Sequence, residues 1–158
     1  MGNLFNIVLV EPQIPQNTGN IVRLCDCVGC ELFLVGQLGF FLTDKHLKRA
    51  GLDYWDDTKI HQFETLEELK HKFPDNNFYY ISTKGQKNYT QVNYQKGDFL
   101  VFGSETKGLP KEILENNTER VLRIPMKESK RSLNLSNSVS IVLYEAVRQL
   151  NVSDSLVL

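Results

Sequence analysis

Apolar residues along this chain fall into short compact runs separated by stretches with a helical period. Leu4 to Val10, Glu31 to Val35, Ile60 to Phe63, Phe78 to Thr83, Phe99 to Phe102 and Val121 to Ile124 have the length and character of strands. Between them the spacing changes. Ile21, Leu24, Cys25 and Val28 share one face of a helix that starts at Asn17-Thr18-Gly19 and stops at Gly29. Val139, Val142, Leu143, Ala146 and Leu150 fall at i, i+3, i+4, i+7 and i+11 on a helix predicted from Ser138 to Leu150. Asn134, Ser136, Asn137 and Ser138 crowd its start. They are poor in mid-helix and good at satisfying the unpaired N–H groups of a first turn.

Three shorter helices complete the pattern. Thr43 or Asp44 caps Lys45 to Ala50, and Gly51 stops it. Thr65-Leu66-Glu67-Glu68 has the spacing of a capping box, with a helix to about Lys72. Leu109-Pro110 opens the third, through Leu114. Strands alternating with helices predict an α/β fold, a parallel sheet with helices on both faces, in one domain over 1–158. Ligands of such sheets sit beyond the carboxyl ends of the strands, which singles out the loops after Val10, Thr83, Phe102 and Ile124. The polar segment Lys84 to Gly97 reads as connection. The loop from Arg123 to Asn137 is the most polar and basic; it suits a ligand, and equally an ordinary loop before a well-capped helix.

The composition, 41% hydrophobic and 23% charged over 158 residues, is that of a soluble globular protein. A formal net charge of -1 does not announce nucleic acid, but Lys45, His46, Lys48 and Arg49 cluster locally, as do Lys127, Lys130 and Arg131. No apolar run reaches the length of a membrane span and the N-terminus has no signal segment, so no membrane and a cytoplasmic location are expected. Cys25, Cys27 and Cys30 close a helix rather than open one, and no histidine is near in sequence. They are expected to be buried or half-buried free thiols rather than a redox pair or metal site.

Common nucleotide motifs fail. Gly103-Ser104-Glu105-Thr106-Lys107-Gly108 has the glycine spacing of a phosphate loop, but Leu109-Pro110 stand where Lys and Ser or Thr belong. No G-x-G-x-x-G follows the first strand, and Ser104 lacks the flanking glycines of a nucleophile elbow. Three polar loops remain. Pro15-Gln16-Asn17-Thr18-Gly19-Asn20-Ile21-Val22-Arg23, Phe102-Gly103-Ser104-Glu105-Thr106-Lys107-Gly108-Leu109-Pro110, and Ile124-Pro125-Met126 with Ser132-Leu133-Asn134-Leu135-Ser136-Asn137 resemble, in order, the motifs of the SPOUT-type RNA methyltransferases. Gly51-Leu52-Asp53-Tyr54 resembles the minimal subgroup, which methylates the wobble ribose of tRNA, as does the lack of an added RNA-binding domain. Ser104 and Lys107 depart from it, where many relatives carry proline and arginine.

The resemblance implies S-adenosylmethionine as methyl donor, no metal, a homodimer with sites completed by both subunits, and a C-terminal trefoil knot that includes Ile124 to Asn137. It implies as substrate the wobble cytidine or carboxymethylaminomethyluridine of tRNA, in leucine isoacceptors. It also implies the site residues. Arg23 would activate or orient the 2'-OH, and because guanidinium keeps its proton, charge stabilisation is easier to defend than base catalysis. Asn17, Glu105, Ser132 and Asn134 would orient the nucleotide and hold the loops. Ile81, Thr83, Gly103, Ile124, Ser132 and Leu133 would line the donor pocket. Lys45, Lys48, Arg49, Lys130 and Arg131 would face RNA phosphates. Two readings compete: a methyltransferase of ribosomal RNA or of another tRNA position, and a non-catalytic RNA-binding dimer.

Overall fold

A computed structural model describes residues 3–50, 58–151 and 156. The Gly51 to Tyr54 motif and most of the tail after Asn151 lie outside the described residues. The chain runs β1 (Asn6–Val10), α1 (Pro15–Val28), β2 (Glu31–Val35), α2 (Lys45–Ala50), β3 (Ile60–Phe63), α3 (Leu66–Lys72), β4 (Phe78–Ile81), β5 (Lys87–Asn88), β6 (Phe99–Phe102), α4 (Lys111–Asn116), β7 (Val121–Arg123) and α5 (Leu135–Leu150), with a 3-10 turn at Thr118–Arg120. The described strands form one sheet in the order β3-β2-β1-β6-β4-β7-β5, and every pair in it is parallel.

The strands are apolar at consecutive positions because both faces are covered. Ile7 and Leu9, Leu32 and Leu34, and Leu100 and Phe102 point to the side packed by α1 and α5, where they meet Ile21, Cys25, Val139 and Leu143. Their alternates Val8 and Val10, Phe33 and Val35, and Phe99 and Val101 point the other way, onto Leu66 and Leu69 of α3 and Leu114 of α4. This is the expected α/β architecture, with helices on both faces.

The differences from expectation are local and have causes. Leu4 is buried but precedes the ladder, its N–H donating to Gly29 O at 3.0 Å. At the other end of the sheet, β4 stops at Ile81 because Gly85 N–H turns back onto Ser82 O. α5 starts at Leu135, three residues early, since Asn134 is the N-cap and its side chain accepts from Asn137 N–H at 3.2 Å. α1 starts at Pro15, which lacks the N–H a first turn would leave unpaired. Asp44 rather than Thr43 caps α2, accepting from His46 N–H. β5 is polar and only two residues long, yet pairs with β7 through Lys87 and Asn88. Of the cysteines, Cys25 and Cys30 are buried as expected, and burial pushes the Cys30 thiol up to about 12. Cys27 is exposed, because it lies off the inward stripe of α1.

Two features of the topology prepare a site. β1 leads outward to β2 and β3 on one side, while β6 lies on its other side, so the loops after β1 and β6 diverge from a switch point. β7 lies between β4 and β5, two strands that precede it in the chain, so the segment after it rises between loops already in place.

Candidate active site

A cavity of about 690 Å³ opens beyond the carboxyl ends of β4, β6 and β7. Its base is apolar, from Ile81, Phe102 and Ile124 as the strands end and from Leu109 and Leu114 beside them. Its rim is polar, from the loops after β1, β4, β6 and β7.

The loop after β6 is braced on itself. Gly108 N–H donates to Ser104 O, and Lys107 N–H to Ser104 Oγ, each at 3.0 Å. Gly103 sits where this loop returns, and a Cβ there would overlap the Gly108 carbonyl carbon and the Leu109 nitrogen. Only glycine lets the two backbone segments touch. Glu105 then leaves the loop and reaches the start of α1. Its two carboxylate oxygens accept from Gln13 N–H and Ile14 N–H, each at 2.8 Å, and from Asn17 Nδ2 at 3.2 Å. A carboxylate at a helix start meets unpaired N–H groups and the positive end of the helix dipole. Asn17 in turn accepts from Asn134 Nδ2 at 3.1 Å, and Asn134 caps α5. Glu105, Asn17 and Asn134 thus link the loops after β6, β1 and β7 in one polar chain along the cavity.

The structure brings most of the expected residues together. Ile81, Thr83, Gly103, Ile124, Ser132 and Leu133 all line the cavity, as do Asn17, Glu105 and Asn134. Asn17 is buried, while Ser132, Leu133 and Asn134 are exposed at the mouth. Arg131 also lines the cavity. Arg23 does not; it lies exposed on α1, off the buried stripe. Lys45, Lys48 and Arg49 are exposed on α2, which is anchored by the fully buried Leu47 and packs against α1. Lys130 is exposed in the loop before α5. Reading the chain missed Ser82 and Lys84, which line the cavity from a loop without a distinctive pattern, and gave no site role to Thr106 and Met126, which line it from within the quoted motifs. It also missed that Glu105 caps α1, a contact between residues 91 apart.

The model of the SpoU rRNA methylase family matches residues 4–144, which takes in every loop of this cavity. The chain belongs to that family. Within it, the tRNA (cytidine(34)-2'-O)-methyltransferase of Saccharophagus degradans is 51% identical over 156 residues, 96% of this chain and 99% of that protein. A solved structure concerned with 2-OH methylation of C/U34 on tRNA shares 37% identity at a TM-score of 0.89, covering 94% of this chain and 97% of that one. The AdoMet-bound rRNA methyltransferase of Sinorhizobium meliloti aligns at a TM-score of 0.84 and 26% identity, over 95% of this chain but 58% of its own. The family resemblance carried by the three loop motifs is borne out, and so is the α/β fold.

Proposed function

We propose that this chain is a tRNA (cytidine(34)-2'-O)-methyltransferase, which moves a methyl group from S-adenosylmethionine to the 2'-OH of the wobble nucleotide. The observation that carries this reading is the 51% identity to a relative of that activity over nearly the full length of both chains. The AdoMet-bound family structure supports the donor.

The cavity suits that donor. Its volume lies in the range of roughly 300–1,000 Å³ typical of small-molecule sites, and its lining is mixed, an apolar base under a polar and partly charged rim. Ile81, Ile124 and Leu133 offer faces for an adenine, and the backbone near Gly103 and Ser132 offers N–H and C=O groups. When bound, S-adenosylmethionine supplies an electrophilic methyl on a sulfonium. The task left to the protein is alignment and relief of charge on the attacking oxygen. Glu105, Asn17 and Asn134 hold the three loops in register, and Ser132 at the mouth orients the ribose. The Arg23 guanidinium stabilises negative charge at the 2'-oxygen.

Because Arg23 does not line the cavity of its own chain, a homodimer that brings Arg23 of a second copy to the mouth is the arrangement that fits. The half-exposed Tyr144 of α5 and Ile14 at the start of α1 provide apolar surface for that contact. Two copies also double the exposed cations of α2 and of the loop before α5, which lets a chain of net charge -1 hold tRNA phosphates in the cytoplasm. The position of β7 between two earlier strands supports a knot made by the segment Ile124 to Asn137.

The test is transfer of labelled methyl into tRNA by wild type and Arg23→Ala, with the modified nucleotide mapped by digestion and mass spectrometry. Label on the wobble 2'-oxygen that vanishes in the variant is expected. Label in ribosomal RNA or at another tRNA position would overturn the substrate, and donor binding without transfer to any RNA would overturn the activity.

A further inference from the structure

Phe41 is the most exposed large apolar side chain among the described residues, at 83%, while Phe40 and Leu42 on either side of it are half-buried. A lone exposed ring is ordinary on a protein surface. Its setting is not. Before it, Gly39 N–H donates to Pro12 O at 2.9 Å, and a Cβ on Gly39 would overlap Gln13, so the chain is held against the loop after β1. After it, Asp44 N–H donates to Phe41 O at 2.9 Å and Asp44 Oδ1 accepts from His46 N–H at 2.8 Å, which ties the turn to the start of α2. Leu38 and Leu42 pack against the core from the same turn. The backbone that carries Phe41 is therefore fixed on both sides, with the ring in solvent.

Charge and place both bear on what the ring meets. α2 follows the turn directly, with Lys45, Lys48 and Arg49 all exposed. The cores of protein–protein interfaces are depleted of charge, whereas single-stranded nucleic acid is held by cations along its backbone and by aromatic rings against its bases. A second cavity, of about 470 Å³, has the Ser104 to Gly108 loop as one wall, shared with the first cavity, and Gln37, Leu38 and Gly39 as another. The turn that displays Phe41 thus begins on the wall of a cavity that adjoins the donor site.

Resting on the wobble-nucleotide reading above, we propose that Phe41 stacks on an unpaired base next to the methylated nucleotide, while Lys45, Lys48 and Arg49 hold the phosphates beyond it. The methylated ribose faces the first cavity, the strand crosses the loop after β6, and the neighbouring base lies on the ring. Stacking uses the face that every base has, so Phe41 fixes where the RNA loop lies without choosing among bases. It is a positioning residue for the substrate.

Anticodon-loop RNA oligonucleotides, intact or with one abasic site at a position other than the wobble, test this by fluorescence anisotropy with wild type, Phe41→Leu and Phe41→Trp. Leucine keeps the side chain apolar and removes the π face, and tryptophan enlarges it. Phe41→Leu should bind the intact RNA about tenfold more weakly than wild type, with S-adenosylmethionine affinity and sedimentation of the protein unchanged. An abasic site at one position flanking the wobble should weaken wild type and Phe41→Trp by a similar factor and cost Phe41→Leu nothing further. Equal affinity of Phe41→Leu and wild type for the intact RNA, or losses that simply add at every position, overturns the assignment. So does a smaller sedimenting species in Phe41→Leu, which would place the ring between two copies of the chain. Methyl transfer mapped on the intact RNA keeps the two readings apart: label on the wobble 2'-oxygen without such coupling removes the stacking alone, and coupling with label at another nucleotide removes the wobble reading and leaves the stacked base standing.

Discussion

Both ends of the parallel sheet are rich in polar side chains, and they use them in opposite ways. At the amino end the groups satisfy one another. Gly97 O accepts from Asn6 Nδ2 and Asn76 Nδ2, each at 2.9 Å, and the buried Asp98 takes Gln95 N–H at 2.8 Å and Asn77 Nδ2 at 3.1 Å. The cavity left beside them is about 190 Å³. At the carboxyl end the chain from Glu105 through Asn17 to Asn134 joins loops at the rim and leaves about 690 Å³ open among them. The same kind of bond closes one end and props the other open. What differs is topology: strands leave the switch point in diverging directions at the carboxyl end.

The largest break in this contrast should come from Gly103→Ala. The added Cβ overlaps backbone, which cannot swing aside as a side chain can, so the loop after β6 must move. A loss of S-adenosylmethionine affinity of a hundredfold or more, about 3 kcal/mol, is expected by calorimetry. Affinity within a few-fold of wild type would show that the touching backbones do not shape the cavity. Glu105→Gln should come next. The amide keeps the shape but offers one acceptor where two N–H groups arrive, so charge-assisted bonds worth roughly 1.5–3 kcal/mol are weakened. A lower urea midpoint together with at least tenfold slower methyl transfer is expected; loss of stability with full activity would make the cap of α1 structural alone.

These residues also show what a sequence can reveal. The strands were legible because burial on both faces makes them continuous apolar runs, and α5 because its stripe is long. β5 was not, since Lys87 and Asn88 pair by backbone with β7 and carry no apolar signal. The start of α1 was misplaced by two residues because its cap, Glu105, comes from the loop after the neighbouring strand β6, 91 positions along the chain from Ile14. In the site, the motif residues were legible as a family resemblance, but their physical work was not. Gly103 looks like any loop glycine until Gly108 is seen against it, and Asn17 like a helix-start residue until Asn134 and Glu105 bracket it. Ser82 and Lys84 reach the cavity by the path of their loop, which no local pattern encodes.

A smaller effect is expected from Asn134→Ala, which removes the N-cap of α5 and the link to Asn17 while leaving Glu105 on α1. Loss of such a cap costs about 1 kcal/mol, and a shift of that size should appear in thermal unfolding. If the polar chain props the cavity open, transfer should fall more in this variant than in Ser136→Ala, which loses only a hydroxyl bond to the same Asn134 oxygen. Equal activities would confine Asn134 to helix capping.

The smallest change should come from the closed end. Burial raises the Asp98 carboxyl above its ordinary range, against the lowering effect of the Gln95 and Asn77 hydrogen bonds and of Arg120. A raised value in the folded state means that the folded protein binds the proton more readily than the unfolded chain. The stability this supplies is fully present below the unfolded value, about 3.9 for an aspartate, and is lost as pH rises through the folded value. Asp98→Asn removes the titration. The stability of wild type relative to the variant should therefore fall as pH rises out of the acid range and then level off, with methyl transfer unchanged. The opposite slope would mean that the hydrogen bonds outweigh burial and that the closed end is held by a charge rather than in spite of one. A change in transfer would mean that the two ends of the sheet are coupled, and the contrast between them would then describe one device instead of two.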